Sequence, residues 1–226
     1  MKNKTKSLVL IGLTVLLGII GPSANAAGPP SVVEVQTYGS TYGEFSARWW
    51  QWLLSIPAAA NPNLGGDCGQ GQYDDVFFLP GAFGSDPVVR TCVIPAGKPV
   101  FFPLINSLAF KPGGKDTLLD LRKLAAELID NVTVLTVTID GEMTLNLNDL
   151  ANLRVRSPSF TVIAPPKGLV APGKLSVPGN TDPLVSDGYW LLLSPAPGAH
   201  EIHVQATTTY GTPPFALDVT YLLTWQ

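Results

Sequence analysis

Three aspartates supply the oxygen ligands that a hard cation prefers. Asp67, Asp74 and Asp75 lie in or beside a stretch rich in Asn, Pro, Gly, Asp and Gln at residues 61–71. Side-chain and backbone oxygens of such a loop could surround Ca²⁺. Loop carboxylates are also among the side chains that water most often solvates. A calcium site at these aspartates is therefore one hypothesis beside ordinary loop charge, and we expect no other cofactor.

Tryptophans are concentrated where the sequence predicts a helix. Trp49, Trp50 and Trp52 fall within four consecutive positions. On an α-helix Trp49 and Trp52 share the buried face, and Trp50 lies about 100° away. We predict that Trp50, or Tyr189 with Trp190, forms an exposed aromatic platform for a sugar ring or an apolar ligand. The alternative is that these rings belong to the core.

The two histidines do not form a recognisable metal motif. His200 and His203 are three residues apart, and on a strand this spacing directs the two rings to opposite faces. It also differs from the H-x-x-x-H spacing of a zinc-protease helix. The sequence has no G-x-S-x-G elbow and no phosphate-binding G-x-x-x-x-G-K-[ST]. Two carboxylates facing each other across a cleft could still hydrolyse a glycan, and no such pair can be assigned from the sequence.

The chain has two cysteines, Cys68 and Cys92. In an oxidising compartment disulfides persist, so we expect these two residues to form one bridge. The bridge would connect the Gly-rich loop to a predicted strand. A reactive thiol or a metal pair is the alternative.

The first residues have the order of a secretory signal peptide. Three lysines within residues 2–6 precede an apolar run at 8–20, and Ser23-Ala24-Asn25-Ala26 matches a small-residue cleavage site. We predict a signal peptide at residues 1–26 and a secreted protein, periplasmic or extracellular, without a stable membrane span after cleavage. An uncleaved N-terminal anchor is the alternative. The net charge of −3 argues against nucleic acid as a partner.

Hydrophobic periodicity predicts two helices. The first begins at Thr41, whose spacing to Glu44 matches a capping box, and it ends before Pro57. The second is an amphipathic helix between residues 115 and 131. The rest of the chain is rich in short β-branched or aromatic runs, and Asp140-Gly141 is a hairpin signal. Strands are predicted at residues 76–79, 88–94, 99–104, 132–139, 142–147, 153–156, 160–164, 189–193, 201–209 and 217–224.

These elements predict a mainly β protein with two helices, arranged as a β-sandwich of Greek-key or jelly-roll type. Residues 27–226 would form a single secreted domain. Within it, a helix and a disulfide-tied loop occupy about 41–106, and a helix with the β-sandwich occupies about 115–226.

Several segments together resemble a group of uncharacterised secreted bacterial proteins. They are ARWWQW at 47–52 leading to SIP at 55–57, RTC at 90–92 before IPAGK at 94–98, FFPLIN at 101–106, DGYW at 187–190 and PGAH at 197–200. The resemblance covers most of the exported chain. It implies export and a shared fold, and it carries no catalytic residue over to this sequence.

Three functions fit these observations. The first is a non-catalytic binding module of the cell envelope or the extracellular space, since enzyme motifs are missing and aromatic residues are frequent. The second is a secreted, carboxylate-dependent hydrolase acting on a glycan. The third is a structural surface or matrix protein that associates through a strand edge or an apolar patch. The partner is an unknown ligand in each case, with a glycan or an apolar surface as candidates.

Overall fold

The computed structural model describes residues 28–33, 38–110, 116–163, 165, 169–171, 175–177 and 181–226. The predicted signal peptide lies outside these residues. Helix α1 is Tyr42–Ser55 and helix α2 is Leu118–Ile129. Short 3₁₀ turns occupy Ala58–Ala60, Pro62–Leu64 and Ala151–Leu153. No helix of the described residues is both long enough and apolar enough to cross a membrane.

The strands, in chain order, are β1 (Phe77–Phe78), β2 (Val88–Ile94), β3 (Val100–Phe110), β4 (Val132–Ile139), β5 (Met143–Asn146), β6 (Arg154–Arg156), β7 (Phe160–Val162), β8 (Leu169–Ala171), β9 (Leu175–Val177), β10 (Thr181–Leu193), β11 (Gly198–Thr208) and β12 (Ala216–Trp225). Sheet 1 has the order β1-β3-β10-β6, and β7 also pairs with β10. Sheet 2 has the order β2-β12-β11-β4-β5. Strands β8 and β9 form a separate hairpin.

The protein is mainly β with two helices, as the sequence predicts. Both large sheets are mixed, because β1 runs parallel to β3 and β2 runs parallel to β12. The predicted hairpin is confirmed: β4 pairs with β5, and Asp140 and Gly141 both have positive φ, at 53° and 69°. Two central positions with positive φ are typical of a type I′ turn.

A shared hydrophobic core lies between sheets 1 and 2, which gives a sandwich-like arrangement. Alternate side chains of β3 and β10 face alternate side chains of the second sheet, as the period of a strand requires. The fully buried members include Phe102, Leu104, Leu191 and Leu193 from sheet 1 and Val137, Ile202, Val204 and Tyr221 from sheet 2.

Helix α1 covers the other face of sheet 1. Its N-terminus has the predicted capping box, in which Thr41 accepts from the N–H of Glu44 and the Glu44 carboxylate accepts from the N–H of Thr41. Its apolar face packs Trp49 against Trp190, with ring centroids 5.4 Å apart. Burial of large aromatic rings supplies much of the stabilisation of such a layer.

Helix α2 continues the second layer where sheet 2 ends. Leu121 and Ala125 pack on Ala109 and Val185, which belong to β3 and β10. Ile129, one turn further on, joins the core between the sheets. One side of the predicted apolar stripe therefore packs on the sheets, whereas its members Leu118, Leu119 and Leu124 are exposed.

The expected disulfide is present between Cys68 and Cys92, whose Cα atoms are 5.5 Å apart. Cys92 lies in β2 and Cys68 lies in the loop that follows α1. The bridge therefore holds this loop, which carries residues of the candidate site, against the edge of sheet 2.

Candidate functional site

The pairing of β1 with β3 ends at Pro103. In this parallel pair the N–H of Leu79 bonds to the carbonyl of Phe101. The next bond of the pattern would run from an N–H at residue 103 to the Leu79 carbonyl, and proline has no N–H. The indole N–H of Trp49 donates to that carbonyl instead, at 2.8 Å. The pairing stops here, and β3 continues along a free edge at residues 103–108.

The register of β3 directs two main-chain N–H and C=O pairs to the free edge. On β10 the carbonyl of Ser186 faces away from β3, because it accepts the N–H of Ser157. Main-chain groups alternate in direction along a strand, so the residue after Ser186 bonds to its β3 partner, Ser107. Asn106 and Leu108 alternate with Ser107 and therefore face the free edge. Within the described part of the chain, no other strand pairs with them there.

A pocket of about 460 Å³ wraps around the free edge. Trp49 and Trp50 reach it from the α1 layer, and Val219 and Tyr221 reach it from β12 across the core. These side chains lie on opposite faces of sheet 1, so they can meet only around an edge of that sheet. The volume falls within the range of roughly 300–1,000 Å³ that is usual for small-molecule sites.

The lining of the pocket is mainly apolar. Its aromatic members are Trp49, Trp50, Phe83, Phe215 and Tyr221, and its aliphatic members are Pro103, Leu104, Ile105, Leu108, Leu128, Leu217 and Val219, with Gly81, Ala82 and Gly84 beside them. None of the lining residues carries a formal charge. Phe83, Leu128, Phe215 and Leu217 are only partly buried and mark the side that opens to solvent.

Four lining residues carry polar side chains: Asn63, Asn106, Ser107 and Tyr221. Burial raises the pKa of the Tyr221 phenol far above its usual range, so its hydroxyl stays protonated. Trp50 Nε1 and Asn63 Oδ1 are buried and have no hydrogen-bond partner among the described residues. Buried polar atoms of folded proteins are nearly always paired. Arg90 Nε, Trp190 Nε1 and His200 Nε2 are unpaired among these residues as well, but only Trp50 and Asn63 belong to the pocket lining, where their free donor and acceptor are available to a polar ligand.

Arg90 holds the wall behind the pocket. One of its terminal nitrogens, Nη2, donates to the main-chain carbonyls of Asn63 at 2.9 Å and Gly81 at 3.0 Å. Burial lowers the pKa of its guanidinium, and the neighbouring Tyr221 acts in the opposite direction. The N–H of Asn63 is held in turn by the buried side chain of Asn61 at 3.0 Å. Side chains from α1's loop and from β2 thus fix the position of the lining.

The prediction of an exposed aromatic platform is wrong. Trp190 is fully buried between α1 and sheet 1, and Tyr189 points into the core between the sheets. The strand β10 is buried on both faces, which a run from residue 189 alone does not reveal. Trp50 is 4% exposed and cannot be a surface platform, yet it lines the pocket.

The three candidate calcium ligands do not form a shared site. The carboxylate of Asp74 is paired with Arg48, at 3.0 Å, which already satisfies its charge. Asp67 accepts the N–H of Gly69 in a local turn, and Asp75 is exposed. Among the residues that the structure describes, no group of three or more His, Cys, Asp or Glu side chains could hold a metal ion.

The histidines lie on opposite faces of β11, as predicted. His200 pairs through Nδ1 with Asp140 at 2.7 Å and packs edge-on against Trp225. His203 pairs through Nε2 with Asp218 on the outer face, at 2.9 Å. Each histidine therefore has its own carboxylate partner.

A further buried ion pair lies at Asp187, whose carboxylate is almost fully buried. It accepts from Arg154 Nε at 3.0 Å and Nη2 at 2.9 Å, and from Arg156 Nε at 3.2 Å. This carboxylate fixes the β6 edge of sheet 1. It is not among the residues that line the pocket, where no Asp or Glu is found.

The arrangement can enclose an uncharged, apolar molecule and offer it a few hydrogen bonds. It presents no pair of carboxylates and no nucleophile held by a base within the pocket lining. Comparisons of the chain with protein-family models, with curated proteins and with solved structures found no match.

Proposed function

We propose that this protein is an exported, non-catalytic binding module that takes a small, uncharged and largely apolar ligand into the pocket beside β3. The observation that carries this proposal is the charge-free lining of a pocket of about 460 Å³. Sites for small ligands are typically concave, apolar and equipped with a few polar groups. The disulfide between Cys68 and Cys92 and the resemblance of the sequence to secreted bacterial proteins support export.

The rigidity of the surroundings supports binding over a mobile catalytic site. Trp49 is fixed by its bond to the Leu79 carbonyl, and Arg90 fixes the lining residues Asn63 and Gly81 through their carbonyls. A preformed pocket avoids the ordering cost of a ligand site that must assemble on binding. The carboxylate pair that a glycan hydrolase requires has no counterpart in this lining, so the hydrolase is the weaker alternative.

A neutral apolar fluorophore tests the proposal directly. We expect N-phenyl-1-naphthylamine to bind the oxidised protein, with a rise in its emission and a higher unfolding temperature. At a free probe concentration of 100 times Kd, the linkage would add about 2.7 kcal/mol to the free energy of unfolding. Failure of this probe and of other neutral aromatic probes to bind would contradict the proposal.

A pocket-filling variant locates the binding. Leu217 is partly buried and lines the pocket, so Leu217→Trp would occupy part of its volume and weaken binding of the fluorophore. Val89→Trp is the matched control, because Val89 is 64% exposed on the outer face of sheet 2. Equal affinities of the two variants would place the fluorophore outside the pocket.

A structural, self-associating protein is the second candidate. Val89, Val93 and Leu222 are exposed on the neighbouring strands β2 and β12. An exposed apolar patch is a usual site of protein association. Sedimentation tests it: association that Val89→Lys abolishes would favour this role, and a monomer at high concentration would count against it.

A further inference from the structure

The free edge of β3 adds a chemical requirement to the pocket, and the following inference rests on the proposed function. We propose that the ligand carries a secondary amide, whose C=O accepts from a free main-chain N–H of β3 at Asn106 or Leu108 and whose N–H, which a trans amide directs to the opposite side, donates to Oδ1 of Asn63. The apolar groups on either side of this amide would then occupy the aromatic and aliphatic walls.

The free edge of β3 forms part of the pocket lining. Residues 103–108 all line it, and they are consecutive. Side chains of a strand alternate between two faces, so six consecutive residues can line one cavity only if it runs along the edge of the strand. The main-chain groups directed to that edge therefore face the cavity.

The main-chain groups at this edge require hydrogen-bond partners. A strand offers alternating N–H donors and C=O acceptors, and the natural complement of such a row is another amide. Pro103 removes the donor at the start of the edge, and Trp49 already caps the carbonyl of Leu79. Asn106 is the first residue of this edge that offers both a donor and an acceptor, and Leu108 is the next.

The pocket lining is also uncharged. The lining contains no Asp, Glu, Lys, Arg or His, so a charged ligand would lose its hydration without gaining an ion pair there. A secondary amide is neutral, and it supplies one donor and one acceptor. Asn63 Oδ1 provides the acceptor for the amide N–H, and Trp50 Nε1 provides a further donor in the same wall.

Three isosteric neutral probes test the requirement: benzanilide, phenyl benzoate and trans-stilbene. All three have two phenyl rings at similar separation. The first has an amide, the second has an acceptor without a donor, and the third has neither. We expect benzanilide to displace N-phenyl-1-naphthylamine with an affinity at least about fivefold higher than that of phenyl benzoate, and trans-stilbene to bind most weakly.

The outcomes separate this inference from the proposed function. If none of the probes binds, the proposed function fails and the inference fails with it. If all three bind with equal affinity, the pocket is a binding site and the amide requirement is overturned.

Amide proton shifts in an ¹⁵N-labelled sample decide where the amide binds. Benzanilide should shift the Asn106 or the Leu108 signal more than phenyl benzoate does. The signals of Ser107 and Ala109 serve as the internal control, because their N–H groups face β10. A preference for benzanilide without such a shift at Asn106 or Leu108 would overturn the assignment to β3.

Discussion

Gly188 of β10 has no side chain, and this allows β3 to pair closely with β10 at Asn106, a residue of the free edge. The substitution Gly188→Ala tests this close pairing. A Cβ added at residue 188 would lie 2.7 Å from the carbonyl oxygen of Ile105 and 2.7 Å from the Cβ of Asn106, which stands directly opposite. Asn106 and Gly188 form a non-hydrogen-bonded pair, in which the two strands approach most closely. No flexible side-chain end is available to move aside.

The size of the expected loss in stability follows from these contacts. Forcing an extra methyl group into a packed site costs about 1–3 kcal/mol, and contacts with main-chain atoms favour the upper end of that range. Replacing glycine also removes freedom from the unfolded chain, which offsets about 0.4–1 kcal/mol. We therefore expect Gly188→Ala to lower the free energy of unfolding by about 2 kcal/mol.

Urea unfolding of the oxidised protein, followed by tryptophan fluorescence, measures this loss. With an m value of about 2 kcal/mol/M, the midpoint should fall by about 1 M. Gly28→Ala is the matched control, because nothing lies within 4 Å of a Cβ there and its φ is not positive. Its midpoint should stay unchanged or rise slightly.

An unchanged midpoint for Gly188→Ala would refute the pairing of Gly188 with Asn106. Because the substitution displaces the strand that carries the free edge, it should also weaken binding of N-phenyl-1-naphthylamine. A destabilised variant with full affinity would show that the position of β3 does not determine binding.

Three further perturbations have defined outcomes. Replacing Cys68 and Cys92 together by alanine opens a loop with a sequence separation of 24. The chain-entropy estimate predicts that the free energy of unfolding falls by about 3.5 kcal/mol. Urea unfolding measures this loss, and an unchanged midpoint would contradict a bridge. Burial raises the pKa of Tyr42 to about 12, above its value of about 10 in the unfolded chain. Its contribution to stability is therefore complete below pH 10 and lost as the pH rises to 12, and Tyr42→Phe should lose less stability than the parent over that interval. Asp187→Asn leaves Arg154 without its buried carboxylate and should cost about 3 kcal/mol by thermal unfolding, and a loss below about 1 kcal/mol would refute a buried ion pair.

Local chemistry made several elements predictable from the sequence. The capping box at Thr41 and Glu44 and the stop at Pro57 define α1, because each acts within one helical turn. Asp140-Gly141 predicts the β4–β5 turn for the same reason, since few residues tolerate positive φ. The pairing of Cys68 with Cys92 followed from there being no other cysteine.

Longer-range features were not predictable in this way. The sequence predicted a strand at 189–193, whereas β10 begins at Thr181. The prediction missed the first part of the strand because polar and glycine residues such as Ser186 and Gly188 interrupt its hydrophobic pattern. These residues are buried by tertiary partners that no local rule supplies. The same cause explains the wrong prediction for Trp190, whose burial depends on α1 packing across the sheet.

One signal for the site was present in the sequence. Pro103 interrupts an otherwise apolar strand, and proline within a strand indicates an edge position. This observation alone cannot locate a pocket, since most strand edges face solvent or are covered. The pocket depends on Trp49, which takes over the carbonyl that Pro103 leaves unpaired and closes one end of the free edge.

These contacts give the tryptophan cluster of α1 a role beyond filling the core. Trp49 uses its N–H to end the β1 pairing, whereas the N–H of Trp50 has no partner in the described chain. Both rings line the pocket, and Trp49 contacts Trp50 edge-on with centroids 5.0 Å apart. Trp190 also has an indole N–H without a partner among the described residues, but that ring lies in the core between α1 and sheet 1 and does not line the pocket. An unpaired indole beside an unpaired strand edge instead matches a wall built to receive an apolar molecule with hydrogen-bonding groups.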